Sequence, residues 1–200
     1  MATTSSNAQS SNAQSSNSQS SNSQSSSKPN PLAAAPGTKG IDPRGPRFGA
    51  TLTLITLTAD IILLLVGPQL STPNSLVANL ATPASNLLFL IVIVFAIGAF
   101  AGIAKHPYGA IFKKFIRPNL SAPTELESPK PPTFAQLIGF VITLVGLVLA
   151  LLGLTTGAFI AVAFAFVAAF LNSVFGYCLG CQIYVLLVRA GILGRGSATV

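Results

Sequence analysis

Residues 134–152 read FAQLIGFVITLVGLVLALL, an apolar run that contains no charged residue. A helix needs about 20 such residues to cross the hydrocarbon core of a bilayer. Three further runs of similar length occupy residues 49–67, 86–104 and 158–177, and the first of these holds one charge, Asp60. Of all 200 residues, 50% are hydrophobic and 8% are charged, whereas soluble domains have about 25% charged residues. The sequence therefore predicts an all-α integral membrane protein with four transmembrane helices.

The ends of the chain differ in composition from the apolar part. Residues 5–24 are four pentapeptides rich in Ser, Asn and Gln, which have no apolar surface to bury and predict disorder. We accordingly divide the chain into a disordered tail and linker at 1–40, a four-helix membrane domain at 41–190 and a flexible tail at 191–200. The N-terminal segment does not resemble a secretory signal peptide, because it lacks an apolar core, and an organellar transit peptide is a weaker alternative.

The eleven Lys and Arg residues all fall on one side of the predicted bilayer. Four precede the first span, five lie between the second and third spans, and two follow the fourth. Cytoplasmic loops of membrane proteins are enriched in basic residues, so both termini and the middle loop are predicted to face the cytoplasm. This distribution accounts for the net charge of +7, and no nucleic-acid partner is predicted.

The middle loop contains a short basic amphipathic segment. Within residues 108–117 the apolar side chains recur with helical spacing, while Lys113, Lys114 and Arg117 occupy the other face. Pro107 and Pro118 suit a helix start and a helix stop. We predict a short interfacial helix whose three cations contact the anionic headgroups of the bilayer.

Two parts of the sequence share the pattern P-[RK]-x-P-x-F, at 43–48 and 129–134, each directly before an odd-numbered span. The segments that follow the even-numbered spans also match one another. The sequence thus predicts two repeated helical hairpins, each followed by a short interfacial helix. Because both hairpins enter the bilayer from the same side, the axis that relates them would run along the membrane normal.

The two cysteines, Cys178 and Cys181, form a C-x-x-C pair within FGYCLGCQIY at 175–184, where the last apolar run ends. Thiols at this spacing can form a disulfide after local distortion, or they can share a metal ion. Gly176 and Gly180 predict a break in the fourth helix and a new helix near Cys178, where the helix dipole favours a thiolate. Thiols at a cytoplasmic interface are kept reduced, so a structural disulfide is not expected.

Two isolated ionisable residues have both structural and functional interpretations. Asp60 falls about 16 Å along the first span, near the middle of the bilayer, where an acid by default indicates a functional site. No second charge lies within the spans, so we expect instead a protonated carboxyl group that hydrogen-bonds inside the bundle, with Thr143 as its partner.

His106 is the one histidine. We expect an exposed loop residue there, with a metal ligand as the alternative.

Four stretches resemble the bacterial membrane-protein family called domain of unknown function 4395 (DUF4395). They are DPRGPRFGA at 42–50, HPYGAIFKKFIRP at 106–118, ELESPKPPTFAQ at 125–136 and LNSVFGYCLGCQIY at 171–184. The resemblance covers residues 42–189 and implies a membrane fold without an assigned activity. It also implies a genomic neighbourhood of thioredoxin-like or sulfurtransferase genes, which favours thiol or sulfur chemistry.

Three functions of the cysteine pair are open from the sequence, and whether the protein is an enzyme is undecided. In the first, Cys178 attacks and Cys181 resolves a mixed disulfide with a thioredoxin-like or sulfurtransferase partner. Four-helix thiol oxidoreductases that use quinone are a superficial parallel, but this chain lacks their second cysteine pair and its own pair is predicted to face inward. The second is a metal site completed by a homo-oligomer or by His106. The third is a scaffold or small transporter with structural cysteines. No cofactor is predicted.

Overall fold

The computed structural model describes residues 32–34, 37, 39–67 and 76–193. Within these ranges the chain forms seven α-helices, which are α1 (Arg44–Val66), α2 (Leu76–Leu80), α3 (Pro83–Phe100), α4 (Pro107–Ile111), α5 (Lys130–Leu151), α6 (Thr155–Phe175) and α7 (Leu179–Arg189). Helices α1, α3, α5 and α6 are long and apolar enough to cross a membrane, which confirms the prediction of four candidate spans in an all-α chain. The disorder predicted at 5–24 and most of the predicted C-terminal tail lie outside the described residues.

Helices α1 and α5 begin several residues before the apolar runs that predicted them. Both start inside the repeated proline motif, after Pro43 (φ −60°, ψ −22°) and Pro129 (φ −72°, ψ −16°). Proline fits the first turn of a helix, because its φ is already helical and its missing N–H has no partner to lose there. The prolines therefore begin these helices, whereas hydropathy placed the helix starts too late.

The four spans form a ring, in which α1 packs against α3 and α6, and α5 packs against the same two helices. Side chains from all four meet in one apolar core that includes Leu57, Leu88, Leu147 and Val162. The outer surface is also apolar, and Phe164, for example, is 67% exposed. Apolar residues on both the inside and the outside are what a helix bundle solvated by lipid requires.

The loop between the first two spans contains structure that its sequence did not predict. Helix α2 lies between the first two apolar runs, where the sequence predicted no helix, and residues 68–75 of this loop fall outside the described residues. Asn79 of α2 is buried, and its Nδ2 donates a hydrogen bond of 2.9 Å to the carbonyl of Leu151 at the end of α5. This bond satisfies one of the terminal carbonyls of α5 and fixes α2 against the bundle.

The linker before α1 pairs with the loop before α5. Backbone hydrogen bonds of 2.8 and 2.9 Å join Ile41 and Glu127 in both directions, and Ala34 N–H donates to the carbonyl of Leu126 at 2.9 Å. The two proline-rich leads are therefore held side by side on one face of the bundle. The division of the chain at residue 40 stays a prediction.

The basic segment is helical, but its winding changes twice. Helix α4 continues as a π-helical turn at Phe112–Ile116 and then as a 3₁₀ turn at Arg117–Asn119. Phe112 is buried against α1, 5.9 Å from the ring of Phe48, whereas Phe115 is 62% exposed. The side chains predicted to form one apolar face therefore separate, with Phe112 packed on the protein and Phe115 exposed. The wider π-helical turn and the tighter 3₁₀ turn make this separation possible.

Candidate functional site

The cysteine pair lies where the chain leaves α6 and starts α7. Gly176 has a left-handed conformation (φ +68°, ψ +15°), which glycine adopts without a Cβ clash and which commonly ends a helix. The N–H groups of Gly176 and Tyr177 donate to carbonyls of the last turns of α6, those of Asn172 and Leu171, each at 3.1 Å. Helix α7 then begins with Cys178 as its N-cap. The predicted helix break and restart are confirmed.

Cys178 and Cys181 are joined by a disulfide, with their Cα atoms 5.2 Å apart. The expectation that this pair would lack a disulfide is therefore wrong for the described structure. The disulfide forms because of where the two cysteines lie. Cys178 has an extended backbone (φ −81°, ψ +99°) outside the helix, which brings the two side chains together at a distance within the usual disulfide range.

The two sulfur atoms have different surroundings. Cys181 is 5% exposed, whereas Cys178 is half-buried and reachable from outside. The Sγ of Cys178 accepts a hydrogen bond of 3.3 Å from the N–H of Cys181. This N–H belongs to the first turn of α7, so a negative charge on the reduced Cys178 sulfur would be stabilised by a donor and by the helix dipole.

Gly180 holds α7 directly against α5. A Cβ at Gly180 would lie 2.6 Å from the Cβ and 2.7 Å from the Cα of Ala135, distances that leave no room for any side chain. The cysteine pair is thus positioned by backbone-to-backbone contact with α5. From the sequence Gly180 predicted only a break in helix propensity, and nothing in its neighbours indicated this packing role.

Arg47 ties the start of α1 to the end of α6 beside the cysteine pair. Its Nε and Nη2 donate to the carbonyls of Ser173 and Val174 at 3.1 and 2.9 Å. Thr51 and Ser173 add a hydroxyl–hydroxyl bond of 2.8 Å. A cation at the C-terminus of a helix pairs with the negative end of its dipole. In the sequence Arg47 was assigned only to the charge asymmetry of the chain, so this capping contact was missed.

A groove of about 910 Å³ extends from the cysteine pair along α5 and α6. Its near end is lined by Cys178 and Cys181 and by polar side chains, which include Arg44, Arg47, Glu127, Gln136 and Asn172. Its far end reaches Leu149 on α5 and Gly157 on α6, at the opposite end of both helices. Sequence periodicity could not reveal it, because a groove depends on how two helices pack.

His106 is buried, which makes the prediction of an exposed loop histidine wrong. It is 3% exposed and lies between α3 and α5, where Gly98 has no Cβ to exclude its ring and the side chain of Gln136 is adjacent. Burial lowers the pKa of His106, and Gln136 opposes this with a smaller effect, so the imidazole is neutral near pH 7. The contact leaves the buried Oε1 of Gln136 without a well-aligned donor among the described residues.

The described residues contain no group of three or more His, Cys, Asp and Glu side chains that could hold a metal ion. His106 therefore does not complete a metal site with the two cysteines in this chain. Two sulfur atoms supply half of the four ligands that a structural zinc site needs.

The three cations of the basic segment divide into two kinds. Lys113 and Lys114 are exposed on the surface. Arg117 instead pairs with Asp42 through its Nε at 2.9 Å, and Arg44 pairs with the same carboxylate at 2.9 Å. The hydrogen bond from Arg44 is the main cause that lowers the pKa of Asp42. The ionised Asp42 therefore fastens the basic segment to the residues that precede α1.

A family model described as "Domain of unknown function (DUF4395)" matches residues 41–189. The chain belongs to this family. The match begins at Ile41, which pairs with Glu127, and ends at Arg189, the last residue of α7. The DUF4395 domain thus comprises the four spans, the basic segment and the cysteine pair with its groove. The comparisons found no significant match among curated proteins and none among solved structures.

Proposed function

We propose that the DUF4395 domain is a membrane thiol–disulfide component in which Cys178 and Cys181 alternate between disulfide and dithiol. The observation that carries this proposal is the difference between the two sulfur atoms. Cys178 is accessible and receives an N–H from the start of α7, whereas Cys181 is buried one turn away. An attacking thiol with a protected resolving thiol beside it is the usual arrangement of redox C-x-x-C pairs.

Exchange with a partner protein proceeds through a mixed disulfide on Cys178. The Cys178 thiolate attacks a disulfide of the partner, an intermolecular S–S bond forms, and the partner's second sulfur leaves as a thiolate. Cys181 then attacks the Cys178 sulfur, restores the disulfide of the DUF4395 domain and releases the partner as a dithiol. The reverse sequence oxidises a partner dithiol. A thioredoxin-like or sulfurtransferase protein with an accessible reactive cysteine is the partner class proposed.

Replacing Cys181 with serine is expected to trap such a partner, because the mixed disulfide on Cys178 then has no resolving thiol. Membranes of the Cys181→Ser protein are quenched in acid, separated without reductant and analysed by mass spectrometry for the adduct and its linked cysteines. Cys178→Ser is the matched control and should give no adduct. If neither variant yields an adduct with a thioredoxin-like or sulfurtransferase protein, the proposed exchange is refuted.

A structural role of the disulfide, in a scaffold or small transporter, is the competing proposal. It is supported by the position of Cys178 at the N-cap of α7, where a covalent link to Cys181 stabilises the first turn. In that case the serine variants lose stability to a similar extent and neither of them captures a partner. The trapping experiment therefore separates the two functions.

We further propose that both termini and the cysteine pair face the cytoplasm, in the inner membrane of a bacterium. The one-sided charge of the sequence supports this orientation, and the helix geometry supports a shared side for the helix ends concerned. Helices α1 and α5 start, and α6 ends, on the side where α7 begins. A reporter fused at Leu76 should be active outside the cytoplasm, and one fused at Thr124 should be active inside. A cytoplasmic signal from Leu76 would reverse the orientation.

The two-hairpin repeat and the role of the basic segment at the membrane surface are also proposals. The repeat is supported by the equivalent starts of α1 and α5 after Pro43 and Pro129. It is supported too by packing, since α4 lies against α1 as α7 lies against α5. Lys113 and Lys114 are exposed and can contact anionic headgroups, although Lys113 also donates a hydrogen bond of 3.4 Å to the carbonyl of Ala104. Arg117 reaches Asp42 and contributes less to such contacts.

A further inference from the structure

The groove between α5 and α6 is polar at one end and apolar along the rest of its length. The amides of Gln136 and Asn172 and the guanidinium of Arg47 line it at the end where the disulfide lies. From Gln136 to Leu149 it follows α5 for about 20 Å at the rise of an α-helix. Alanine, valine, leucine and isoleucine side chains and the backbone of glycines line this part, together with Phe164. Such a groove matches a molecule with a polar head and a long apolar tail.

The groove is open toward the surroundings of the bundle along its apolar part. Val141, Val145 and Ile160 line it and are each about half exposed, at 50%, 49% and 50%. These residues lie inside the candidate spans, so a ligand would enter from the lipid phase and not from water. Its volume of about 910 Å³ is that of a site for a small molecule, for which about 300–1,000 Å³ is typical.

We propose that this groove binds a lipid-soluble quinone, which oxidises the Cys178–Cys181 dithiol. The inference rests on the proposed function and names its electron acceptor. The ring lies at the polar end, where the amides and the guanidinium offer donors to its two carbonyl oxygens, and the isoprenoid tail occupies the apolar part.

The reaction balances without any further reactant. The two thiols lose two electrons and two protons as the Cys178–Cys181 bond forms. The quinone gains them, and its two carbonyls become the hydroxyls of a quinol. The disulfide is then available to oxidise a dithiol of the partner protein.

The test uses full-length protein in phospholipid nanodiscs that contain no quinone. The protein is reduced, freed of reductant and mixed with decyl-ubiquinone, while quinone absorbance and maleimide labelling of the cysteines are followed. We expect one quinol for each disulfide formed, and none with Cys178→Ser. Exchange of the reduced protein with oxidised glutathione is measured in parallel, because it reports on the thiols without the groove.

Two variants obstruct the groove. Ala168 lines it and the adjacent Val167 does not, so Ala168→Phe is compared with Val167→Phe. Val145→Trp obstructs it from α5 at a half-exposed position, should Ala168→Phe fail to fold. Quinone reduction is expected to slow about tenfold or more in the obstructed variants, with glutathione exchange unchanged.

The outcomes distinguish this inference from the function on which it rests. Quinone reduction that is lost in Ala168→Phe and Val145→Trp but kept in Val167→Phe supports the site. Glutathione exchange without quinone reduction overturns the quinone site, leaves the thiol function standing and indicates that the groove holds a lipid acyl chain only. Equal quinone reduction in all variants also overturns the site. Absence of both reactions refutes the redox function itself.

Discussion

Replacing Gly180 with alanine is expected to destabilise the domain and to disturb its cysteine pair. On helix propensity alone this substitution would stabilise α7 by about 1 kcal/mol. The added Cβ would, however, lie 2.6 Å from the Cβ and 2.7 Å from the Cα of Ala135. Backbone cannot move aside as a flexible side chain can, so α7 must shift away from α5. Overpacking of this kind costs about 1–3 kcal/mol, and Cys181, the next residue, moves with it.

The measurement is thermal unfolding of the detergent-solubilised protein, together with the rate at which the reduced pair reoxidises. Gly49→Ala is the matched control, because Gly49 also lies within a helix and its nearest neighbour, the Cβ of Tyr108, would be 3.8 Å away. We expect Gly49→Ala to keep or raise stability and Gly180→Ala to lower both stability and reoxidation rate. A stabilised Gly180→Ala protein would contradict the close contact between α5 and α7.

Replacing Asp60 with valine is expected to stabilise the domain. Asp60 is completely buried, and neither of its carboxylate oxygens has a hydrogen-bond partner among the described residues. The predicted bond to Thr143 is wrong. The hydroxyl of Thr143 donates to the carbonyl of Gly139, four residues earlier in its own helix, at 2.8 Å. A buried polar group without a partner costs about 1–3 kcal/mol, which an apolar side chain would recover.

Thr143→Val is the control for Asp60→Val, because Thr143 is equally buried but its hydroxyl is hydrogen-bonded. We expect a higher unfolding temperature for Asp60→Val and little change or a decrease for Thr143→Val. A large loss of stability in Asp60→Val would show that the carboxyl group has a partner in the membrane. That result would return Asp60 to the status of a candidate functional residue.

The sequence was sufficient for features that depend on local composition. The four apolar runs predicted the spans because membrane crossing depends mainly on length and hydropathy. Gly176 predicted the end of α6 because a left-handed residue there favours glycine. The start of α7 at the cysteine pair was predicted from Gly176 together with Gly180.

Features that depend on packing between distant residues were not accessible from the sequence. His106 was expected at the surface, but the missing Cβ of Gly98, on another helix, creates the space that buries it. Asn79 looked like a loop residue until its bond to Leu151 placed α2 on the bundle. The groove and the packing role of Gly180 likewise depend on how α5 meets α6 and α7.

The central claim, that Cys178 and Cys181 form a reversible redox couple, is tested most directly by the redox state of the pair in native membranes. Membranes are equilibrated in glutathione buffers of graded redox potential and quenched in acid. The free thiols are then counted by the gel shift of a high-mass maleimide. We expect one reversible transition in which both thiols appear together, whereas Cys181→Ser has at most one free thiol, which oxidised glutathione can block only as a mixed disulfide. A pair that stays oxidised, or stays reduced, across all buffers would contradict the central claim.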